Sequence, residues 1–406
     1  MNNRKNLLVG FVLILFTSAQ SSPLLAGPPA GSPLKNKVVP VIELSGNGYD
    51  RGLKHGILLK KEIAEVYGKW KDDIHKNTGS NADSVIAKFY ASTNFEPIIK
   101  KLEPDLLEEV KGIAKGSGQP YRDVLCFQLV DEFWVYMDRL RQTNGNHCSG
   151  IGVGASNGSP VYIAQNMDVE NYMNGYQILL HIAKNKNTPQ QYVLSCAGLI
   201  ALNGVNEYGI GVCVNTLLEL NASNDGLPVA FIIRGVLTKK TGKEALEFFQ
   251  TVKHASGQNY ILGLQDKVYD FEASAGKVVR FIPNASNPSL VYYTNHAVAN
   301  NDIKPWHIKE HNQILAGLAK KDNSVIRFAS LKSRLDVSGN SISAEKIKQT
   351  LRSKDDLINP VCRDYDIAHS GFTFSSVILT LGKNPSIQLT DASPDQAEYI
   401  TNFIKK

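Results

Sequence analysis

The hydrophobic pattern of this chain changes period at Cys148, and that change constrains the fold more than any other feature. From 49 to about 140, apolar residues such as Leu53, Ile57, Ile63, Val66 and Trp70 recur at helical spacing, with charged residues between them. Further helices are predicted over 83–92, 104–115 and 121–140. After Cys148 the pattern predicts strands over 161–164, 177–182, 191–195, 209–215, 260–264, 267–272, 278–282 and 290–294. Helices are expected over 228–237, 243–252, 303–318 and 323–335. The chain closes with strands over 372–381 and 386–390, a hairpin around Gly382-Lys383-Asn384. A helical leader followed by partly alternating sheets and helices predicts an α+β protein, without internal repeats.

The residues at the change of period carry chemistry. Cys148 follows the run Asn144-Gly145-Asn146-His147 and opens a strand-like stretch, Ser149 to Val153. The turn Ser156-Asn157-Gly158-Ser159-Pro160 joins it to a second strand ending Gln165-Asn166-Met167-Asp168. Such a hairpin brings Asp168 back beside Cys148, a thiol beside a carboxylate that could orient it. A cysteine there could equally be a small buried hydrophobe.

The first residues read as a targeting segment. A short basic start at Arg4 and Lys5 precedes an apolar run from Leu7 to Phe16, too short to span a bilayer, and then small residues. This is the pattern of a secretory signal peptide in residues 1–26, cut after Ala19 or Ala26. The expected location is secreted or periplasmic, or lumenal in a eukaryote, where sequons at Asn157, Asn221 and Asn284 would matter. No later segment is apolar enough for a transmembrane span. A net charge of +6, with basic residues interspersed among acidic ones, argues against a nucleic-acid partner.

Five cysteines cannot all pair internally, and their spacing is not that of a disulfide scaffold. Cys126, Cys196 and Cys213 lie in apolar surroundings and read as core; Cys148, flanked by Asn, His, Ser and Gly, does not. No Cys-x-x-Cys pair suggests a metal. His307-Ile308-Lys309-Glu310-His311 matches a zinc-protease pattern formally, without an evident third ligand. A surface helix carrying two histidines is the expected reading.

Several segments fall in a telling order. They are Gly48-Tyr49-Asp50-Arg51-Gly52-Leu53-Lys54-His55-Gly56, Cys148, Gln165 to Asp168, and Asn206-Glu207-Tyr208-Gly209-Ile210 leading to Asn215. Thr294-Asn295-His296 and Ser324-Val325-Ile326-Arg327-Phe328 follow. The set resembles the acyl-coenzyme A:6-aminopenicillanic acid acyltransferase family of cysteine N-terminal-nucleophile hydrolases. Penicillin V acylases and choloylglycine (bile-salt) hydrolases are more distant relatives. The resemblance implies a four-layer αββα sandwich; no cofactor and no metal are expected. It also implies self-cleavage between His147 and Cys148, giving an α fragment from 27–147 and a catalytic β fragment from 148–406. By position, Asp168 would orient the new amine and Asn215 would donate to an oxyanion. Asn295 would hold substrate or amine, and Arg327 would supply a cation near the thiol.

The implied partner is a small acylated substrate, an amide, thioester or lipid, and a homo-oligomer is left open. Gln165 stands where bile-salt hydrolases carry Arg, which argues for the acyltransferase-like branch. Ser149 stands where Thr is usual, and His147 where the fungal enzyme has Gly. Three alternatives accompany this reading: a phospholipase B-like esterase on the same fold, a Cys–His hydrolase using His296 or His147, and a non-enzymatic binding protein.

Overall fold

A short strand that the sequence pattern does not announce, β1 (Val41–Leu44), opens the described part of the leader in the computed structural model. The structure describes residues 38–140, 148–156, 158–336, 342–366 and 371–404. The signal-peptide expectation, His147 and the Asn157 sequon therefore lie outside the described residues. Seven helices follow β1 in the leader: α1 (Gly48–Leu58), α2 (Lys60–Thr78), α3 (Ala82–Ala91), α4 (Phe95–Leu102), α5 (Pro104–Ser117), α6 (Tyr121–Gln128) and α7 (Val130–Arg139). The single helix expected over 121–140 is thus two, broken at Leu129. The break has a tertiary cause: Gln128 turns its amide to Gly198 O at 2.7 Å and accepts from Ile200 N at 2.9 Å.

The glycine-spaced motif at the start of the leader is a packing device. Gly48, Gly52 and Gly56 recur every fourth residue of α1 and so share the face that meets α5. A Cβ built on Gly52 would lie 1.8 Å from the backbone oxygen of Glu109, so the two backbones touch. Gly52→Ala must push the helices apart, and a loss of roughly 1–3 kcal/mol or more is expected in a denaturant melt. A variant as stable as the wild type would show that the contact is not tight in solution.

The rest of the chain builds two sheets. β2 (Ser149–Val153) and β3 (Tyr162–Val169) are the expected hairpin, paired from Ser149↔Asn166 to Val153↔Tyr162. Next come β4 (Gln177–Ile182), β5 (Gln191–Cys196), β6 (Asn203–Asn206), β7 (Gly211–Thr216), α8 (Val229–Leu237) and α9 (Gly242–Thr251). β8 (Gln258–Gly263), β9 (Val268–Ala273), β10 (Val278–Arg280) and β11 (Leu290–Tyr293) follow. The last elements are α10 (Ile308–Leu315), α11 (Asn323–Leu335), α12 (Ala344–Leu351), β12 (Phe372–Thr380), β13 (Ser386–Leu389) and β14 (Ile400–Phe403).

One sheet has the order β1-β4-β5-β6-β7-β8-β9-β10 and the other β11-β2-β3-β12-β13-β14. Among these named strands every pairing is antiparallel except β1 with β4, which stitches the leader onto the sheet edge. The large core fills the space between the sheets and runs out beneath α8 and the leader helices. A second, smaller core, with Ile151, Ala164 and Ile378 against Leu331, Leu335, Ile347 and Leu351, lies between the six-stranded sheet and α11 and α12. Helices, sheet, sheet and helices give the four-layer αββα arrangement that the resemblance implied.

Strand β2 alternates glycine with larger residues for a reason. A Cβ on Gly150 would lie 2.8 Å from Ile261 Cδ1 and 2.9 Å from Asn215 Oδ1, both on the facing sheet. Only glycine lets the strand that follows Cys148 approach β7 so closely.

Candidate active site

Cys148 stands at the threshold of β2, and the hairpin register sets its neighbours. With Ser149 opposite Asn166, the preceding residue falls beside Met167 and Asp168. The thiol lies 3.9 Å from Met167 Sδ and 3.5 Å from the backbone oxygen of Asp168. It is buried, and burial, with the Asp168 charge adding to it, pushes the thiol up to about 12. At neutral pH this sulfur is therefore a protonated thiol.

Asp168 comes from the end of β3, where the partner strand slips register. β12 pairs Thr373 with Asp168 but Ser375 with Met167, leaving Phe374 as an extra residue. Such bulges bend a strand and redirect a side chain. Asp168 is buried and neither carboxyl oxygen has a hydrogen-bond partner. Burial pushes it up to about 6, opposed by the Arg363 charge, by the Thr373 hydroxyl close by, which is not aligned for a hydrogen bond, and by the Arg327 charge.

Arg327 binds the other side of the cysteine. It projects from α11, the helix expected over 323–335, and is fully buried rather than on a surface. Nη1 donates to Cys148 O at 2.6 Å and to Ser149 Oγ at 3.0 Å; Nη2 donates to Asn295 Oδ1 at 2.9 Å. Nε donates to Asn323 Oδ1 at 2.7 Å. Burial draws the guanidinium down to about 10, with the Asp168 and Cys148 charges opposing. Its contacts hold the backbone of Cys148, while its charge reaches the thiol through space.

Asn295 is engaged at both ends, donating through Nδ2 to Thr216 O at 3.1 Å and accepting from Arg327. It ties the end of β7 to the arginine. Asn215, one residue before Thr216 and inside β7 rather than in a turn, is the opposite case. Its side chain is buried against Gly150, and neither its amide nitrogen nor its oxygen has a partner. Unpaired buried polar groups are costly and call for an explanation.

A small cavity of about 20 Å³ opens beside Cys148, room for roughly one water. Met167, Val214 and Ile233 give it apolar walls, with Asp168 and Thr216 as polar points. Its remaining wall comes from the leader: Val130, Asp131 and Trp134 of α7. These leader residues escaped the sequence reading. The available signal was two adjacent acids, Asp131 and Glu132, in an otherwise apolar helical turn. A wider groove of about 1040 Å³, lined among others by Lys184, Glu207, Tyr208 and Lys383, contains none of the candidate residues.

The other candidates have different uses. His296 is buried, its Nδ1 2.8 Å from Ser324 Oγ and its ring packed against Phe328. Burial draws it down to about 4, which suits a structural imidazole better than a base. The two histidines of the zinc-like pattern do not share a ligand position: His307 Nε2 lies 2.9 Å from Asp138 Oδ1, and His311 Nδ1 lies 3.2 Å from Glu219 Oε2. His311 is buried, so the surface-helix expectation is corrected for it. Cys126, Cys196 and Cys213 are core residues, as expected. Among the described residues, Cys362, Asp364 and Asp395 cluster closely enough to hold a metal. Lys354 Nζ already bonds both carboxylates there, at 2.7 and 2.5 Å. Gln165 is buried, donating to Val214 O and accepting from Asn203 Nδ2 at 3.0 Å.

The model of the family described as acyl-coenzyme A:6-aminopenicillanic acid acyl-transferase matches residues 154–396. That segment holds Asp168, Asn215, Asn295 and Arg327, and starts just after Cys148. The "acyl-coenzyme A:6-aminopenicillanic-acid-acyltransferase 40 kDa form" of Emericella nidulans is 24% identical over 264 residues, covering 64% of this chain and 70% of that protein. Protein dcd1B of Dictyostelium discoideum is 24% identical over 226 residues, covering 49% of this chain but only 42% of its own length. Among solved structures, a Caenorhabditis elegans ortholog of N-acylethanolamine-hydrolyzing acid amidase is matched at a TM-score of 0.40 and 16% identity, over 64% of this chain and all of that one. With its family model matched over more than half of its length, the chain belongs to the acyl-coenzyme A:6-aminopenicillanic acid acyl-transferase family.

Proposed function

We propose that the chain is an exported precursor that cuts itself between His147 and Cys148 and then works as an amidohydrolase or acyltransferase with Cys148 as its nucleophile. One observation carries the reading. The two Asp168 oxygens and the Asn215 amide are buried beside the cysteine strand with no hydrogen-bond partners. Groups held in that state at a cost make sense if partners arrive later. A free Cys148 amine would pair with Asp168, and a substrate oxyanion with Asn215 Nδ2.

The chemistry proceeds in two stages. In the precursor, Cys148 Sγ attacks the His147 carbonyl and its proton passes to the Cys148 nitrogen as the C–N bond breaks, which frees the amine; water then hydrolyses the thioester to leave the His147 carboxylate and the Cys148 thiol. That amine titrates near ~8, against a thiol reference near ~8.5, so it can take the thiol proton without a histidine. The thiolate then attacks the substrate carbonyl, and the leaving group departs with a proton. Water resolves the acyl-thioester in hydrolysis; an amine resolves it in transfer. Arg327 would keep the Cys148 carbonyl, and so the sulfur, in one orientation throughout. The name of the Emericella relative supports acyl transfer among the outcomes. The two fragments, 27–147 and 148–406, would remain associated through β1 and the leader helices.

Intact mass of the purified protein tests the first stage, and turnover of matched amides, esters and thioesters tests the second. Asn215→Ala is expected to lower kcat by ~10²–10³ while leaving the melting curve in place. Unchanged turnover in that variant would remove Asn215 from the oxyanion site. A preference for esters over matched amides would move the reading to a lipid esterase.

A further inference from the structure

We propose that Asp131 and Trp134 of α7 select substrates whose amine half carries a positive charge. The inference rests on the reading of Cys148 as nucleophile and adds the class of its substrate.

Asp131 lines the cavity that Cys148 opens into, together with Trp134 and Val130 from the same turn of α7. One oxygen, Oδ1, accepts from Thr216 Oγ1 at 2.9 Å and from Gln258 Nε2 at 3.2 Å, both neutral donors. Among the described residues, no lysine, arginine or histidine forms an ion pair with it. The other inward acids of the leader are treated differently. Glu109 is held by Arg51 and Arg234, and Asp123 by Lys71 and Arg122. Asp138 has Lys304 and His307. Burial raises both Asp131 and its neighbour Glu132, and the Asp131 charge pushes Glu132 further up, so a single negative charge in this pair falls on Asp131. Asp131 alone among these faces the thiol cavity without a counter-charge.

Asp131 and Trp134 are half-buried, more exposed than Cys148 and Asp168 behind them. An aromatic ring three residues along the same helix face complements a carboxylate in binding an ammonium group. The apolar walls at the thiol, Met167, Val214 and Ile233, offer no partner for a charge on the acyl half. The charge therefore belongs to the amine half, leaving or incoming, which must pass the carboxylate to reach or quit the acyl-thioester.

Thiol reagents of matched size test this without knowledge of the acyl group. Cys148 is labelled with cationic 2-aminoethyl, neutral ethyl and anionic 2-sulfonatoethyl methanethiosulfonates, with Cys148→Ala as the control for other thiols. The cation-to-neutral rate ratio should exceed one and fall about tenfold in Asp131→Asn, with rescue in Asp131→Glu. An equal ratio in wild type and Asp131→Asn, or no labelling by any reagent, overturns the proposal. Matched N-acyl ethylenediamine, ethanolamine and glycine give the second readout, with the diamine preferred in kcat/KM. Equal turnover of diamine and ethanolamine defeats the charge selection while leaving the nucleophile intact; labelling that follows the expected ratio with no turnover of any acyl substrate defeats the enzyme reading alone.

Discussion

Cys148→Ala is expected to stay a single chain across residues 147 and 148 and to lose acyl turnover on the order of 10⁶-fold. The expectation comes from what the substitution leaves untouched. Arg327 holds the backbone oxygen of residue 148 and the hydroxyl of Ser149, so the strand end keeps its anchor. Asp168 and Asn215 stay buried and unpaired, as they are now. Only the sulfur goes, and with it both the attack on the His147 carbonyl and the acyl-thioester. Intact mass spectrometry reads the first loss and a substrate panel the second. A cleaved Cys148→Ala protein, or one that still turns over substrate, would mean that the scissile bond or the nucleophile lies elsewhere.

Glu109→Ala should cost about 3–5 kcal/mol of stability, the usual consequence of stranding a buried charge. Glu109 lies on α5 and accepts from Arg51 Nε at 2.9 Å, and from Arg234 Nη1 and Nη2 at 2.8 and 3.1 Å. All three side chains are buried. Arg51 retains Asp105 and the Gly46 carbonyl, but Arg234 keeps only the Ile200 carbonyl. Because Arg234 lies on α8, the same carboxylate ties the leader helices to the sheet-bearing part of the chain, and its loss should loosen that contact.

The pH dependence follows from the same contacts. Burial pushes Glu109 up, and the two guanidinium charges more than offset it, bringing it from 4.5 down to about 2. A depressed acid stabilises fully above its unfolded value. That contribution, ~3 kcal/mol, is present above pH 4.5 and is withdrawn as pH falls towards 2. Denaturant melts of wild type and Glu109→Ala should therefore converge in acid. A constant difference down to pH 2 would place the stabilisation in packing instead of charge.

How much was legible depended on whether a signal was local. The β2–β3 hairpin could be read because alternation, an Asn-Gly turn and strand length are properties of neighbouring residues, and its register brought Cys148 beside Asp168. Helix α11 was equally plain, but the burial of Arg327 was not. A cation on a helix reads as solvated until the sheet it packs against is known. Gly48, Gly52 and Gly56 stood out as a motif, while their purpose needed α5, more than fifty residues away. Asp131 escaped because two adjacent acids in an apolar helical turn do not say what they face; only the fold sets Asp131 at the cysteine's cavity. The break at Leu129 escaped as well, since no proline or glycine marks it and its cause is a glutamine bonded to a distant loop.

By itself the amino-acid order determined the class of fold, the strand carrying the cysteine and the candidate side chains, because periodicity, turn chemistry and residue type act over a few positions. The tertiary structure alone decided which of those side chains are paired and which are left waiting. It put Asn295 to work holding Arg327, left Asp168 and Asn215 without partners, and set a leader carboxylate at the cysteine's cavity. Those outcomes depend on desolvation and on contacts between residues distant in the chain, which no local pattern encodes.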